Sequence, residues 1–299
     1  MARLDKVDGK WVNLEKPGGK VIFVGGGTVA VGGVGASDTY PGTRPEAPKS
    51  TIDGTSGAIN NCVSGRGDTI VILPGSITVT VAIALDVADL TLTGIESGAS
   101  INPSAILSSL AASSDLINVT AANVVIEHLH FKASTAATTS RIDAGAASLT
   151  IRNNTFLCGA YDLETITVPA AGDDLLVEGN RFQVTANGPD AAIEIEAAGV
   201  NGLTVRNNVF HGATDANAWD VGAINSGVAH TDCLITGNIS TFGPAIIFSA
   251  AALGMISGNH MGEGTLGSML DPGSTMCSEN YEADAIDQTA RLFPTTAAS

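Results

Sequence analysis

The chain has 299 residues, 44% of them apolar, which is enough to bury a large core, and its formal net charge is -16. The charge is uneven: residues 51–299 carry seven basic and twenty-five acidic side chains, and 211–290 contains neither Lys nor Arg. That balance argues against nucleic acid or an anionic membrane as partner, and 4% aromatic content leaves few platforms on which bases or sugars could stack.

Residues 1–50 differ in kind from the rest. After a mixed polar start, VIFVGGGTVAVGGVGA at 21–36 is Gly-rich and β-like, and a Pro-rich connection follows. Gly25, Gly26 and Gly27 are not followed by Gly-Lys-Ser/Thr, so a phosphate loop is not expected. The expectation is an extended N-terminal arm over 1–50 that lies on a neighbouring surface or pairs with another subunit. No basic start leads into an apolar run, and no stretch of 18 apolar residues occurs, so neither a secretory nor a spanning segment is expected. Residues 51–67 suit a short capping helix with Ala58, Ile59 and Val63 facing the first coil.

From residue 68 a self-similar pattern sets in. DTIVILPG at 68–75 reads as the first strand, LTLTGI at 90–95 and VVIEHLHF at 124–131 as weak copies, and the phrase then becomes clear: LTIRNNTF at 149–156, LLVEGNRF at 175–182, LTVRNNVF at 203–210, CLITGNIS at 233–240 and GMISGNHM at 254–261. The second Asn falls at Asn154, Asn180, Asn208, Asn238 and Asn259, spacings of 26, 28, 30 and 21, and Asn280 follows after another 21. Such a period marks one supersecondary unit stacked on itself. Each phrase alternates apolar and polar residues at strand period, and a second strand-like run lies between phrases at 116–119, 165–168, 192–195, 221–224 and 245–248. Two short strands per repeat without a long amphipathic stretch exclude βαβ units and leucine-rich horseshoes. About eight coils would build a rod of roughly 35 to 40 Å.

The recurrent Asn is read as architecture. Asn tolerates a left-handed turn and can stack into a ladder at the bend, satisfying backbone groups that burial would orphan. The residues two positions later, Phe156, Phe182, Phe210 and Met261, then point inward and stack.

Side chains for chemistry are sparse. Alternation in AIEIE at 192–196 puts Glu194 and Glu196 outward on one face, about 7 Å apart, the best acidic pair, with Asp173, Asp174 or Asp220 as possible additions from other coils. Solvated carboxylates on an outer face are the plainer reading. His128, His130, His211, His230 and His260 read as scattered surface imidazoles, and no Ser sits in a nucleophile elbow. Arg152, Arg181 and Arg206 recur beside the turns and suit a surface row pairing with Glu178 and nearby acids. Cys62, Cys158, Cys233 and Cys277 show neither CxxC nor ligand-like spacing, so buried thiols are expected, with no metal and no cofactor.

The segment 40–75, with PGTRPEAPKSTIDG, AINNC and GRGDTIVILPG, resembles the lead-in of right-handed parallel β-helix proteins of the pectate-lyase-like superfamily, especially those of tailed-phage and environmental-virus virions. The resemblance covers about 40–285. It implies a fold shared by polysaccharide lyases and hydrolases, receptor-binding tailspikes and non-enzymatic virion parts, commonly trimeric. The polygalacturonase-like members carry Asn-Thr-Asp, Asp-Asp, His-Gly and Arg-x-Lys in order; here only Asp173-Asp174 and His211-Gly212 echo that series. The expected organisation is all-β: an arm over 1–50, a capping region over 51–67, a single-stranded right-handed parallel β-helix over 68–285 and a tail over 286–299. The expected function is a non-enzymatic bacteriophage virion protein, a capsid decoration on the outer virion surface, made in the host cytoplasm. It would be a homotrimer docked on capsid or other virion proteins through its arm. The alternative is a tailspike or adhesin that binds or depolymerises a cell-surface polysaccharide.

Overall fold

The structure, a computed structural model, describes residues 3–7, 10–14, 18–25, 35–95, 104–108, 114–132, 140–159, 163–184, 188–213, 219–248, 252–262, 269–283 and 290–293. Three short strands, rather than the two expected, make each coil. In a central coil they are Thr150–Arg152, Thr155–Cys158 and Glu164–Val168. Each pairs in parallel with its counterpart one coil on, Ile151 with Val177, Phe156 with Phe182 and Ile166 with Ile193. Among the described residues the stack yields a first, second and third sheet of ten, ten and eight strands, a parallel β-helix.

The miscount has a local cause. The phrase LTIRNNTF turns a corner in its middle, so its two halves belong to different sheets. The left-handed residue at that corner is not the ladder Asn but the residue before it: His128, Asn153, Gly179, Asn207, Gly237, Gly258 and Glu279 have φ between 54° and 65°. Packing also explains part of the Asn/Gly alternation. A Cβ on Gly179 would lie 2.7 Å from Asn153 Oδ1, and one on Gly237 would lie 2.7 Å from Asn207 Oδ1.

One residue on, the buried Asn side chains form a continuous ladder. Each Oδ1 accepts from the backbone N–H and the Nδ2 of the Asn one coil earlier. Asn154 N–H donates to Asn180 Oδ1, Asn180 to Asn208, Asn208 to Asn238, Asn238 to Asn259 and Asn259 to Asn280, all at 2.9–3.1 Å. Each Nδ2 also donates to a carbonyl of the preceding coil, Ile126 for Asn154 and Val177 for Asn208. Leu129 occupies the position in the coil before and donates its N–H to Asn154 Oδ1. Buried corners that have left the sheets thereby satisfy their polar groups.

The interior is stacked just as regularly. Phe131, Phe156, Phe182 and Phe210 lie face over face with ring centroids 4.7, 4.8 and 4.9 Å apart, the spacing of the strands that carry them. The row then reads Ser240 and Met261. Ser240 leaves a void of about 10 Å³ against Phe210 and Met261, room for about one water, while Trp219 packs edge-on to Phe210 at 6.4 Å.

The ends depart from expectation. Val21–Val24, placed in an arm meant for a neighbouring surface or another subunit, pairs in parallel with Thr69–Ile72 and extends the first sheet, because its apolar side chains continue that sheet's core. Ahead of it, Arg3–Val7 and Lys10–Leu14 pair antiparallel. The capping helix is reduced to one 3-10 turn, Ile59–Asn61; Ala58 and Ile59 are buried, but Val63 is 52% exposed. Asp68 pins this lead-in by accepting from Arg66, from Lys20 N–H and from Val63 N–H at 2.6–2.7 Å. Burial alone would raise the Asp68 carboxyl, yet these donors hold it below the ordinary range. At the other end Ala290–Phe293, placed in a tail, lies antiparallel on Asn280–Ala283 and covers the last edge of the second sheet.

Asn208→Ala removes the acceptor for Asn180 and the donor to Val177 and Asn238 at once, so urea unfolding should show a loss of about 3 kcal/mol or more. Asn207→Gly, at the left-handed position beside it, should change stability by well under about 1 kcal/mol.

Candidate functional site on the third sheet

The third sheet gathers the chain's chemistry. Its inward row, Ile142, Ile166, Ile193, Ile224 and Ile246, is buried. The alternate positions form an outward row in the order Ala84, Asn118, Asp143, Thr167, Glu194 and Asn225. Asp143 and Glu194 therefore face the same way, two rungs apart, about 9.5 Å between backbones with Thr167 between them. Asp115, Glu164, Asp190 and Asp220 stand at the sheet's leading edge, and Glu196 lies just past the end of Ala191–Ile195.

These carboxylates are not equivalent. Burial pushes Glu164 up to about 7, with the charges of Glu196, Asp190, Glu194 and Asp115 adding to it. Burial likewise lifts Asp143 to about 6, helped by Asp115 and Glu196. Glu194 is raised by burial despite Asn225, whose Nδ2 donates to both of its carboxylate oxygens at 3.0 and 2.7 Å. Asp115 accepts from Ser140 N–H and Oγ–H at 3.1 and 2.8 Å. The charges acting on Asp143, Glu164 and Glu194 are all carboxylates. Like charges held half out of water keep protons on Asp143 and Glu164 to about pH 6 and 7, the condition for general acid work.

The outer face of the first sheet is the contrast. There charge alternates through Glu127, Arg152, Glu178 and Arg206, with Arg152 to Glu127 at 2.7 Å and Arg206 to Glu178 at 2.8 Å. Arg181 lies on the second sheet, not in this row. Such exposed pairs stabilise little and leave their carboxylates occupied.

The other sequence candidates are dispersed. Glu194 and Glu196 share a strand, but Glu194 is anchored and half-buried whereas Glu196 is exposed beyond the strand's end. Asp173 accepts from Asn201 N–H and Asp174 has a left-handed φ of 55°, so both belong to a turn, away from His211, which bonds Thr241 at 2.7 Å on the second sheet. His230 is no surface imidazole: it is 1% exposed, its ring nitrogens find no hydrogen-bond partner among the described residues, and it packs edge-on to Phe248 at 4.9 Å. Cys158 and Cys233 are buried thiols, and Cys62 and Cys277 are partly buried. Among the described residues no group of three or more His, Cys, Asp or Glu could hold a metal ion. Asp143 and Glu164 escaped the sequence reading; aligning the coils on their inward Ile residues would have put Asp143 on the row of Glu194.

No family model matches the chain, and no curated protein does. Among the solved structures similar to the chain in fold are two enzymes. One is DFA-IIIase from Arthrobacter chlorophenolicus A6 in complex with GF2, 14% identical with a TM-score of 0.43, the match covering 78% of this chain and 59% of that one. The other is a rhamnogalacturonan lyase, 12% identical with a TM-score of 0.42, covering 94% and 91%. The fold is a parallel β-helix. The expectation of a chain without enzymatic activity finds no support beside these two structures, which are named as a DFA-IIIase and a rhamnogalacturonan lyase. At these identities the likeness reaches the fold and no further, so any activity must be argued from the chain's own residues.

Carboxyls raised in the folded state hold more protons than in the unfolded chain between about pH 4 and 7, so stability falls as pH rises through that window. Glu164→Gln should match the native chain in thermal melting at pH 4 and exceed it at pH 8.

Proposed function

We propose that the chain depolymerises a neutral polysaccharide by glycosidic hydrolysis on the outer face of the third sheet. The observation that carries this reading is the pair Asp143 and Glu194, two rungs apart on one row and in unlike settings. Their backbone separation, about 9.5 Å, suits an inverting pair, in which a water fits between the base and the sugar, better than the roughly 5 Å of a retaining pair. Asp143 carries the proton and gives it to the leaving glycosidic oxygen. Glu194, held by Asn225, takes a proton from a water as its oxygen bonds the anomeric carbon. Both carboxyls then exchange protons with solvent and return to their starting forms.

Charge selects the substrate. An acidic face repels polyuronates and tolerates uncharged sugars. Glu164, protonated below about pH 7, adds a neutral donor for a sugar hydroxyl. The resemblance of 40–75 to virion β-helices supports placing this activity on a tailspike-like protein of the outer virion surface. Self-association as a homotrimer and attachment through residues ahead of Val21 belong to the same proposal.

Reducing-end release from a panel of neutral polysaccharides at pH 5 tests the reading. Asp143→Asn and Glu194→Gln should each lower kcat by about 100-fold or more, and the native rate should decline as pH rises through about 6, where Asp143 loses its proton. Glu164→Gln, which mimics the protonated acid, should stay within about threefold of the native rate at pH 5. Polygalacturonate should not be cleaved. A native rate in Asp143→Asn sinks the proposal.

A further inference from the structure

A cavity of about 560 Å³ lies where the lead-in meets the first coil, between segment 50–56 and segment 77–83. That volume falls in the range of small-molecule sites and holds one or two sugar rings. Its lining includes Thr51, Thr55 and Thr80 together with Ile52, Val79 and Ile83. Among the described residues, Gly75–Val79 and Ile83–Leu85 are the first strands of the second and third sheets.

The wall formed by 50–56 is held from several sides. Asp38 accepts from the N–H groups of Ser50 and Thr51 and from the Thr51 hydroxyl, each at 2.9 Å. Lys49, 6% exposed, donates its ammonium to the carbonyls of Asp38 and Ser56 at 2.9 Å. Asp53 accepts from Ala84 N–H at 2.9 Å, tying the wall to the third sheet, and the Asn60 amide donates to the Gly54 carbonyl. A cavity so braced exists before any ligand enters, which lowers the ordering cost of binding.

Chemistry narrows the occupant. The two carboxylates of the lining, Asp38 and Asp53, are already engaged as acceptors for the wall, which disfavours a cation. Among the described residues the lining contains no Lys, Arg or His to receive an anion. Hydroxyl groups over apolar surface remain, the combination that takes an uncharged sugar. Position agrees with this. Ile83 opens the strand Ile83–Leu85, whose outward residue Ala84 heads the row of Asn118 and Asp143, so the cavity wall is two rungs, about 9.5 Å, from the strand of Asp143.

We propose that this cavity is a terminal subsite that binds one end of a neutral glycan lying along the third sheet. The proposal rests on the hydrolytic reading of that sheet and adds a site at its N-terminal end. A glycan with its scissile bond between Asp143 and Glu194 reaches the cavity in the direction of Asn118 and Ala84. The cavity then fixes how far from the chain end cleavage falls, so products of one short length should predominate.

Methyl NMR of the full chain with 13C-labelled Ile tests the subsite without needing turnover, the signals being assigned through Ile52→Val and Ile83→Val. Maltose, cellobiose, lactose and sucrose at millimolar concentration are the probes, with digalacturonate as the charged control. At least one neutral disaccharide should shift the Ile52 and Ile83 methyls, digalacturonate should not, and Thr80→Trp, at an exposed position that fills the cavity, should abolish the shift. Failure of all four disaccharides to move these methyls overturns the subsite, as does a shift that persists in Thr80→Trp or one that digalacturonate produces equally. Asp143→Asn should keep the shift and lose cleavage. If instead it cleaves normally while the methyls still respond, the hydrolytic reading fails and the sugar-binding cavity stands.

Discussion

The side-chain ladder at the corner between the first and second sheets is the constraint on which the rest depends. A β-helix must leave its hydrogen-bonded sheets at every corner, and here the corner is buried, so polar groups that water cannot reach need partners from the chain itself. Asn meets this with one acceptor oxygen and two amide hydrogens, which join the coil before, the coil after and a strand carbonyl. Because each rung shares groups with its neighbours, the ladder fixes the register of successive coils as well as satisfying them.

Register then determines what each face can do. Once coils align rung by rung, any residue type at a fixed place in the repeat becomes a row about 4.8 Å apart. Phenylalanine in such a row gives a stacked core, and alternating Glu and Arg give a self-neutralising face on the first sheet. Carboxylates on the third sheet give the opposite result: no alternation relieves them, and they hold their protons to about pH 6 and 7. That arrangement lowers stability at neutral pH, a cost that fits a face kept for chemistry rather than for structure.

How much of this was legible depended on whether the signal was local. The Asn positions could be found because each sits inside a phrase whose two flanks alternate, and Glu194 because AIEIE alternates within a single strand. The third strand of the coil was hidden, since LTIRNNTF looks continuous while its corner residue, Asn153, sends the two halves into different sheets. Asp143 was hidden for another reason. Ile142–Asp143 is a strand of only two residues, too short to show a period, and it is recognised only through its pairing with Ile117 and Ile166.

The sequence by itself determined that the chain is a stack of β coils with an Asn corner and an aromatic core, because those features repeat at nearly constant spacing and each coil meets the same local physics. The tertiary structure decided which carboxylates share a face, that Val21–Val24 and Ala290–Phe293 close the sheets, and that the lead-in encloses a cavity. These depend on contacts between coils separated by connections of unequal length. Unequal connections erase the spacing in sequence, whereas backbone hydrogen bonding restores it in space.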